Sequence, residues 1–359
     1  MTAPAADLLG SPHQDLAAAR ILERSRSLVA PALADAVATL HPWVAEMARY
    51  ALGGSGPGGD DGAGNAARTG DGGRTETGRR GGKGIRQALA LLGAELAGAS
   101  ADRGVPAAVA VELVHTFSLV HDDIMDGDAL RRGRPALWKA YGTGPAVLAG
   151  DALLALAVET LGGAPEAGRR LSDALADLVR GQADDLLFAR RPWTGPEAVT
   201  TAEYEAMAEY KTGALLGCAL ALGAGLGGAG GATVAALDRT GRHLGVAFQI
   251  VDDLLGIWGD PALTGKPVHG DLREGKKTFP VLAALAGPHG PELAGLLGAR
   301  GDTERAAGLV ARAGGRAAAL REARRHLAAA DALLDSVPCA PRTAEDVRGL
   351  LTSLTRRTL

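Results

Sequence analysis

The chain has 359 residues, of which 47% are hydrophobic, 22% charged and 3% aromatic, with 52 glycines and a formal net charge of -3. That composition excludes a disordered or fibrous chain and leaves enough apolar surface for a sizeable core. The slight acidic balance lacks the basic excess of a nucleic-acid binder, and so few aromatics cannot fill a pleated sheet, so a mainly helical protein without a nucleic-acid partner is expected.

Residues 1–14 read as a flexible N-terminal tail without the basic start and apolar run of a secretory signal. Only two cysteines, Cys218 and Cys339, are present, so a reducing, cytoplasmic location is expected. Helical spacing of Leu, Val, Ile and Ala covers 16–27 and 28–52, with Pro31 near the start of the second run. The Gly-rich stretch 53–82 contains almost nothing apolar and is expected to be a mobile, disordered loop. The helical pattern resumes over 85–96, 106–126, 146–161, 169–189, 202–222, 232–258 and 279–285, with two or three further helices to the C-terminus. The stretch 213–237 is uncharged, but its Ala and Gly content and the break at 227–231 make it a buried helix plus a loop, and no membrane span is expected. Without a solenoid repeat or strand–helix alternation, residues 15–359 form one all-α domain, a bundle of about a dozen helices.

The helix over 106–126 carries an acidic stripe. At about 100° per residue, Asp122 lies about 20° from His115 and about 40° from Asp126 on an otherwise apolar element. Carboxylates at i and i+4 repel when ionised, so a cation between them would relieve the stripe. Mg²⁺ bridging carboxylates to substrate phosphates is one reading, and a solvated acidic helix end including Asp123 is the other. Arg131 and Arg132 follow within one loop, in DDIMDGDALRRGRP, and suit either a phosphate or a plain salt-bridge cluster. A second acidic pair, Asp252 and Asp253, interrupts the apolar pattern of FQIVDDLLG. Only six of the 38 basic residues are lysines, and five of them, Lys83, Lys211, Lys266, Lys276 and Lys277, fall in short strings with Gly, Thr or Pro. Compact ammonium groups at such places suit phosphate oxygens.

Taken in order, ELVHTFSLVHDDIMD with RRGRP, GQADDL, YKTG, FQIVDDLLG and GKKTFP resemble the motifs of the trans-isoprenyl diphosphate synthases, the polyprenyl synthetase family. The resemblance covers residues 81–280 and implies an all-helical fold around a deep central cavity. It also implies a homodimer that joins isopentenyl diphosphate head-to-tail to an allylic diphosphate with about three Mg²⁺ ions. Carried over, it makes Asp122 and Asp126 ligands of two ions, with Asp123 in support, and Asp252, beside Asp253, the ligand of the third. Arg131, Lys211 and Lys266 would contact the allylic diphosphate, with Gln249 and Lys276 near the metals. Lys83, Arg86, His115 and Arg132 would grip isopentenyl diphosphate, while Lys211, Thr212 and Gln182 would line the reaction centre.

Two departures stand out. Gly84 and Gln87 replace a basic residue and a proline common in the family, and Gly256 stands where the second motif often ends in aspartate, with Asp260 one turn further on. Bulky Phe117 and small Ser118 ahead of Asp122 resemble synthases of the C20 product, geranylgeranyl diphosphate, with C15 farnesyl diphosphate as the alternative. A class I terpene cyclase would not need a second diphosphate site, and an inactive subunit of a heteromeric synthase would not need the intact Asp122, Asp123 and Asp126.

Overall fold

A computed structural model of the chain describes residues 12–54, 84–260, 268–298, 301–339 and 341–356. In chain order the helices are α1 (Pro12–Ala38), α2 (Pro42–Leu52), α3 (Ile85–Leu96), α4 (Val105–Asp126), α5 (Leu137–Tyr141), α6 (Thr143–Thr160), α7 (Pro165–Phe188), α8 (Thr201–Ala208), α9 (Ala214–Leu226) and α10 (Gly231–Trp258). After these come α11 (Gly270–Glu274), α12 (Phe279–Leu285), α13 (Gly290–Gly298), α14 (Thr303–Arg312), α15 (Gly315–Asp335) and α16 (Pro341–Arg356). Between α4 and α5 a two-residue hairpin joins β1 (Leu130–Arg131) to β2 (Arg134–Pro135). The fold is all-α, as expected from the composition.

Helix α9 is the axis of the core. Every residue from Ala214 to Ala224 is buried, which is the signature of a helix apolar on all sides. It packs against α3, α4, α7 and α10. The uncharged stretch 213–237 is therefore this core helix, a turn, and the start of α10. Its contact with α3 is backbone to backbone: a Cβ on Gly223 would overlap the carbonyl oxygen of Ala90, and one on Gly93 would overlap that of Leu220. The high glycine content is in part a device for bringing helix axes close.

Some boundaries differ from the expected ones. One helix, α1, begins at Pro12, inside the expected tail, and runs through Pro31 to Ala38. The break falls instead at His41, whose side chain accepts the Trp43 amide while Pro42 opens α2, because a proline in a first turn has no amide to lose. The expected helix 202–222 is three pieces, α8, a π-turn at Glu209–Gly213, and α9. From α13 onward the described residues form four helices, not two or three. Most of the Gly-rich stretch, residues 55–82, lies outside the described residues.

Among the described helices, α4 and α6 are long and apolar enough to cross a membrane. Helix α4 belongs to the core, whereas α6 keeps an outward stripe of Val147, Leu148 and Val158, all at least 40% exposed. Substituting Gly223→Ala should cost about 2 kcal/mol through the forced overlap with α3, readable as a lower urea midpoint at unchanged m-value.

Candidate active site

A cavity of about 560 Å³ opens between α3, α4, α7, α10 and the π-turn. Arg86, His115, Phe117, Ser118, Asp122, Arg132, Gln182, Lys211, Thr212, Gln249 and Asp252 all line it, together with leucines of α3, α4, α7, α9, α10 and α15. Eleven positions scattered over 167 residues of sequence, from Arg86 to Asp252, thus share one space.

One group of lining residues is acidic. Burial pushes the Asp122 carboxyl up to about 6, with Lys211 pulling against it and the Asp126 and Asp185 carboxylates adding to the rise. Asp126 is exposed beyond the lining, and burial raises it too, against Lys211 and Lys276. Lys211 Nζ is already paired with Asp185 Oδ2 at 2.6 Å, and Lys276 with Glu274 at 2.7 Å. These carboxylates therefore outnumber the cations that could neutralise them. A set of hard oxygen donors in that state fits Mg²⁺, which prefers carboxylates and retained water.

The neighbouring aspartate of each pair faces elsewhere. Asp123 is 3% exposed and takes both Nε (2.9 Å) and Nη2 of Arg131, so neither the carboxylate nor that guanidinium lines the cavity. Asp253 is 5% exposed and accepts Tyr204 Oη at 2.5 Å, the Phe279 amide at 2.8 Å and Gln249 Nε2 at 3.3 Å. Asp123 and Asp253, expected beside the metals, and Arg131, expected at the allylic diphosphate, thus lie outside the cavity lining; for the two aspartates, one residue along a helix turns a side chain by about 100°, away from the cavity. Asp253 instead orients Gln249, whose Oε1 accepts Thr212 Oγ1 at 3.0 Å. The cavity-facing Thr212 and Gln249 are thus tied through Asp253 to α8 and α12.

The other group is basic. Arg86, Arg132 and Arg131 all act on His115, which burial and then these charges drive well below its ordinary value, so the imidazole is neutral. Burial lowers Arg86 itself to about 10. Arg86 Nε and both amide atoms of Gln182 are buried without a partner among the described residues, which points to a polar ligand. Arg132 has φ 55 and precedes Gly133 with φ 76, the two left-handed centres of a two-residue hairpin that favours Asn-Gly. An arginine held there is strained, and the hairpin delivers it to the cavity.

Lys83 and Lys266 lie outside the described residues. Lys276 is exposed and does not line the cavity, although its charge reaches Asp126. The π-turn presents Lys211 and Thr212 consecutively, and α7 comes so near that a Cβ on Gly181 would overlap the Lys211 backbone.

Residues 75–309 match the profile of the family described as polyprenyl synthetase. The chain belongs to the polyprenyl synthetase family. It is accordingly an enzyme that transfers prenyl groups. It is similar to the geranylgeranyl diphosphate synthase of Mycobacterium tuberculosis, 44% identical over 94% of each chain. It is also similar to the (2E,6E)-farnesyl diphosphate synthase of Mycobacterium bovis, 45% identical over 75% of this chain and 78% of that one. A solved polyprenyl synthetase from Streptomyces coelicolor A3(2) superposes with a TM-score of 0.80 at 42% identity, covering 94% of this chain and 99% of that one.

In this polyprenyl synthetase several site residues escaped sequence reasoning. Asp185 is part of the quoted GQADDL string, and its position three residues after Gln182 was the signal for it. His121 lines the cavity with its ring edge-on to Phe117, centroids 4.8 Å apart, and lies over Gly150, where a Cβ would overlap the imidazole. The Gly256 departure has a local cause: a Cβ there would overlap the carboxylate of Asp271, a buried residue of α11. Asp260 does not extend the motif by a turn, because α10 ends at Trp258. Tyr204 gave no signal in sequence, being one of four tyrosines. Replacing Tyr204→Phe leaves the buried Asp253 one donor short and should cost about 1–3 kcal/mol of unfolding free energy, read by urea titration.

Proposed function

We propose that the chain is a short-chain synthase that condenses isopentenyl diphosphate with allylic diphosphates to geranylgeranyl diphosphate. The observation that carries this reading is one cavity lined both by acidic residues that fit metal-bound diphosphate and by a separate basic group around His115 that fits a second diphosphate. The leucines between them suit a growing apolar chain, and the volume is ordinary for a small-molecule pocket.

Asp122, Asp126 and Asp252 would hold about three Mg²⁺ ions, which supply neutralisation of the departing diphosphate. Lys211 binds the same diphosphate from the π-turn, and Arg131, Lys266 and Lys276 add positive charge around it. Arg86 and Arg132, with Lys83, hold isopentenyl diphosphate, and neutral His115 donates one hydrogen bond without adding charge. Thr212, Gln249 and Gln182 turn oxygen dipoles toward the positive charge that develops when the allylic bond ionises. Asp123 and Asp253 are positioning residues for this arrangement.

C20 is favoured over C15 by the local shape below Asp122. Ser118 folds its hydroxyl back onto the His115 carbonyl, Oγ to O 2.9 Å, and leaves room for a longer tail. Phe117, which lines the same cavity in edge-on contact with His121, would close the space beyond it. The same reading includes a homodimer through the outward stripe of α6, since Val147, Leu148 and Val158 form a regular apolar face on a helix.

Purified protein incubated with Mg²⁺, isopentenyl diphosphate and C5, C10 or C15 primers should release a C20 diphosphate, and a C15 end product would exclude the geranylgeranyl assignment. Asp122→Ala should lower turnover by at least about a thousandfold, and Phe117→Ala should lengthen the product. Leu148→Glu should shift the sedimentation coefficient from dimer to monomer.

A further inference from the structure

Behind the cavity wall lies a cluster that the condensation does not use. Leu244 and Leu327 line the cavity, and their chain neighbours His243 and His326 face the other way. His326 is 5% exposed, and its Nδ1 is 2.9 Å from His243 Nδ1. Its Nε2 is 3.4 Å from Glu322 Oε1, one turn earlier on α15, and 3.5 Å from Glu205 Oε2 on α8. A single cationic nitrogen occupies the point where these three groups meet. Arg325 Nη2 contacts His326 Nε2 at 2.9 Å, Glu205 Oε2 at 3.0 Å and Glu322 Oε1.

The protonation state follows from these contacts. A guanidinium only donates, so His326 Nε2 presents its lone pair to Arg325 and the ring proton resides on Nδ1, directed at His243. Three acceptors therefore converge on an Nη2 that carries two protons, and the arginine side chain supplying it is 56% exposed. The separations of 3.4 and 3.5 Å match the edge of a tetrahedron, about 3.3–3.6 Å, for ligands about 2.0–2.2 Å from a zinc ion.

We propose that Glu205, Glu322 and Nε2 of His326 form a second metal site, specific for a zinc-class divalent cation and separate from the carboxylates of the catalytic cavity. The imidazole ligand distinguishes it from an oxygen-only Mg²⁺ site. His243 fixes the ring of His326, as hydrogen-bond partners of ligating histidines do. Arg325 fills the same point in the metal-free protein and swings into solvent when the cation enters. Water completes the fourth position. The bound ion ties α8, α10 and α15 together where they carry the reaction centre, since Glu205 precedes Lys211, and His243 precedes Gln249, by six residues each.

Co²⁺ titrated into chelator-stripped, full-length protein in excess Mg²⁺ tests the site. One equivalent should produce the intense visible absorption of tetrahedral Co²⁺, abolished by one equivalent of Zn²⁺ and retained in Asp122→Ala. Glu322→Gln and Glu205→Gln should abolish the band, and His243→Phe should weaken binding by about 10- to 100-fold. Arg325→Met, an exposed change, should tighten binding severalfold because the competing cation is gone. Absence of the band from both the wild type and Arg325→Met would overturn the site and leave a salt-bridge network. A band that persists in correctly folded Glu322→Gln and Glu205→Gln would assign the ion to other ligands and overturn it equally.

Discussion

Like charges are crowded into one cavity, and the opposite charges within reach offset them only in part. On the acidic side Asp122 is pushed up to about 6, and on the basic side Arg86 is pushed down to about 10. Each displacement is unfavourable to the ligand-free fold, because burial without a matching partner penalises the charged form. On the proposed function, a diphosphate with its cations would reverse both terms at once, the metals answering the carboxylates and the phosphate oxygens the guanidiniums. Affinity would thereby be linked to the relief of a defect that the remainder of the fold must hold open.

What holds it open is a division of labour within each aspartate pair. Asp122 and Asp252 line the cavity while Asp123 and Asp253, one residue along, anchor their helices, the first to the hairpin through Arg131 and the second to α8 and α12 through Tyr204 and the Phe279 amide. Adjacent residues on a helix diverge by about 100°, so a pair serves where a single aspartate could not both face the cavity and anchor the helix. The Asp253 branch continues through Gln249 to Thr212, so this cavity-lining hydroxyl is fixed from two elements distant in sequence.

The sequence made the helices legible because their apolar spacing is regular, and 279–285 was read to the residue. It hid the π-turn at Glu209–Gly213, since one extra residue per turn leaves no separate hydropathy signature just ahead of the wholly buried start of α9. The site was legible wherever a motif kept charged residues together, as with Asp122, Lys211 and Asp252. It was not legible where a role depends on a single side chain's direction: Asp253 reads the same as Asp252 in sequence, and His121 reads as any residue ahead of an acidic pair. Arg131 and Arg132 are likewise indistinguishable until the hairpin turns one onto Asp123 and the other into the cavity.

Small residues connect these features. Gly93 and Gly223 let α3 and α9 meet backbone to backbone, Gly181 lets α7 meet the π-turn, and Gly256 leaves room for the Asp271 carboxylate. Each close approach brings polar groups from different elements within reach of one another without long side chains, and so without the side-chain entropy that a flexible reach would cost. The same closeness explains why an apparent loss in the second aspartate motif need not be a loss of charge at that place. With Gly256 in α10, the carboxylate beside it comes from α11, from a residue 15 positions further along the chain.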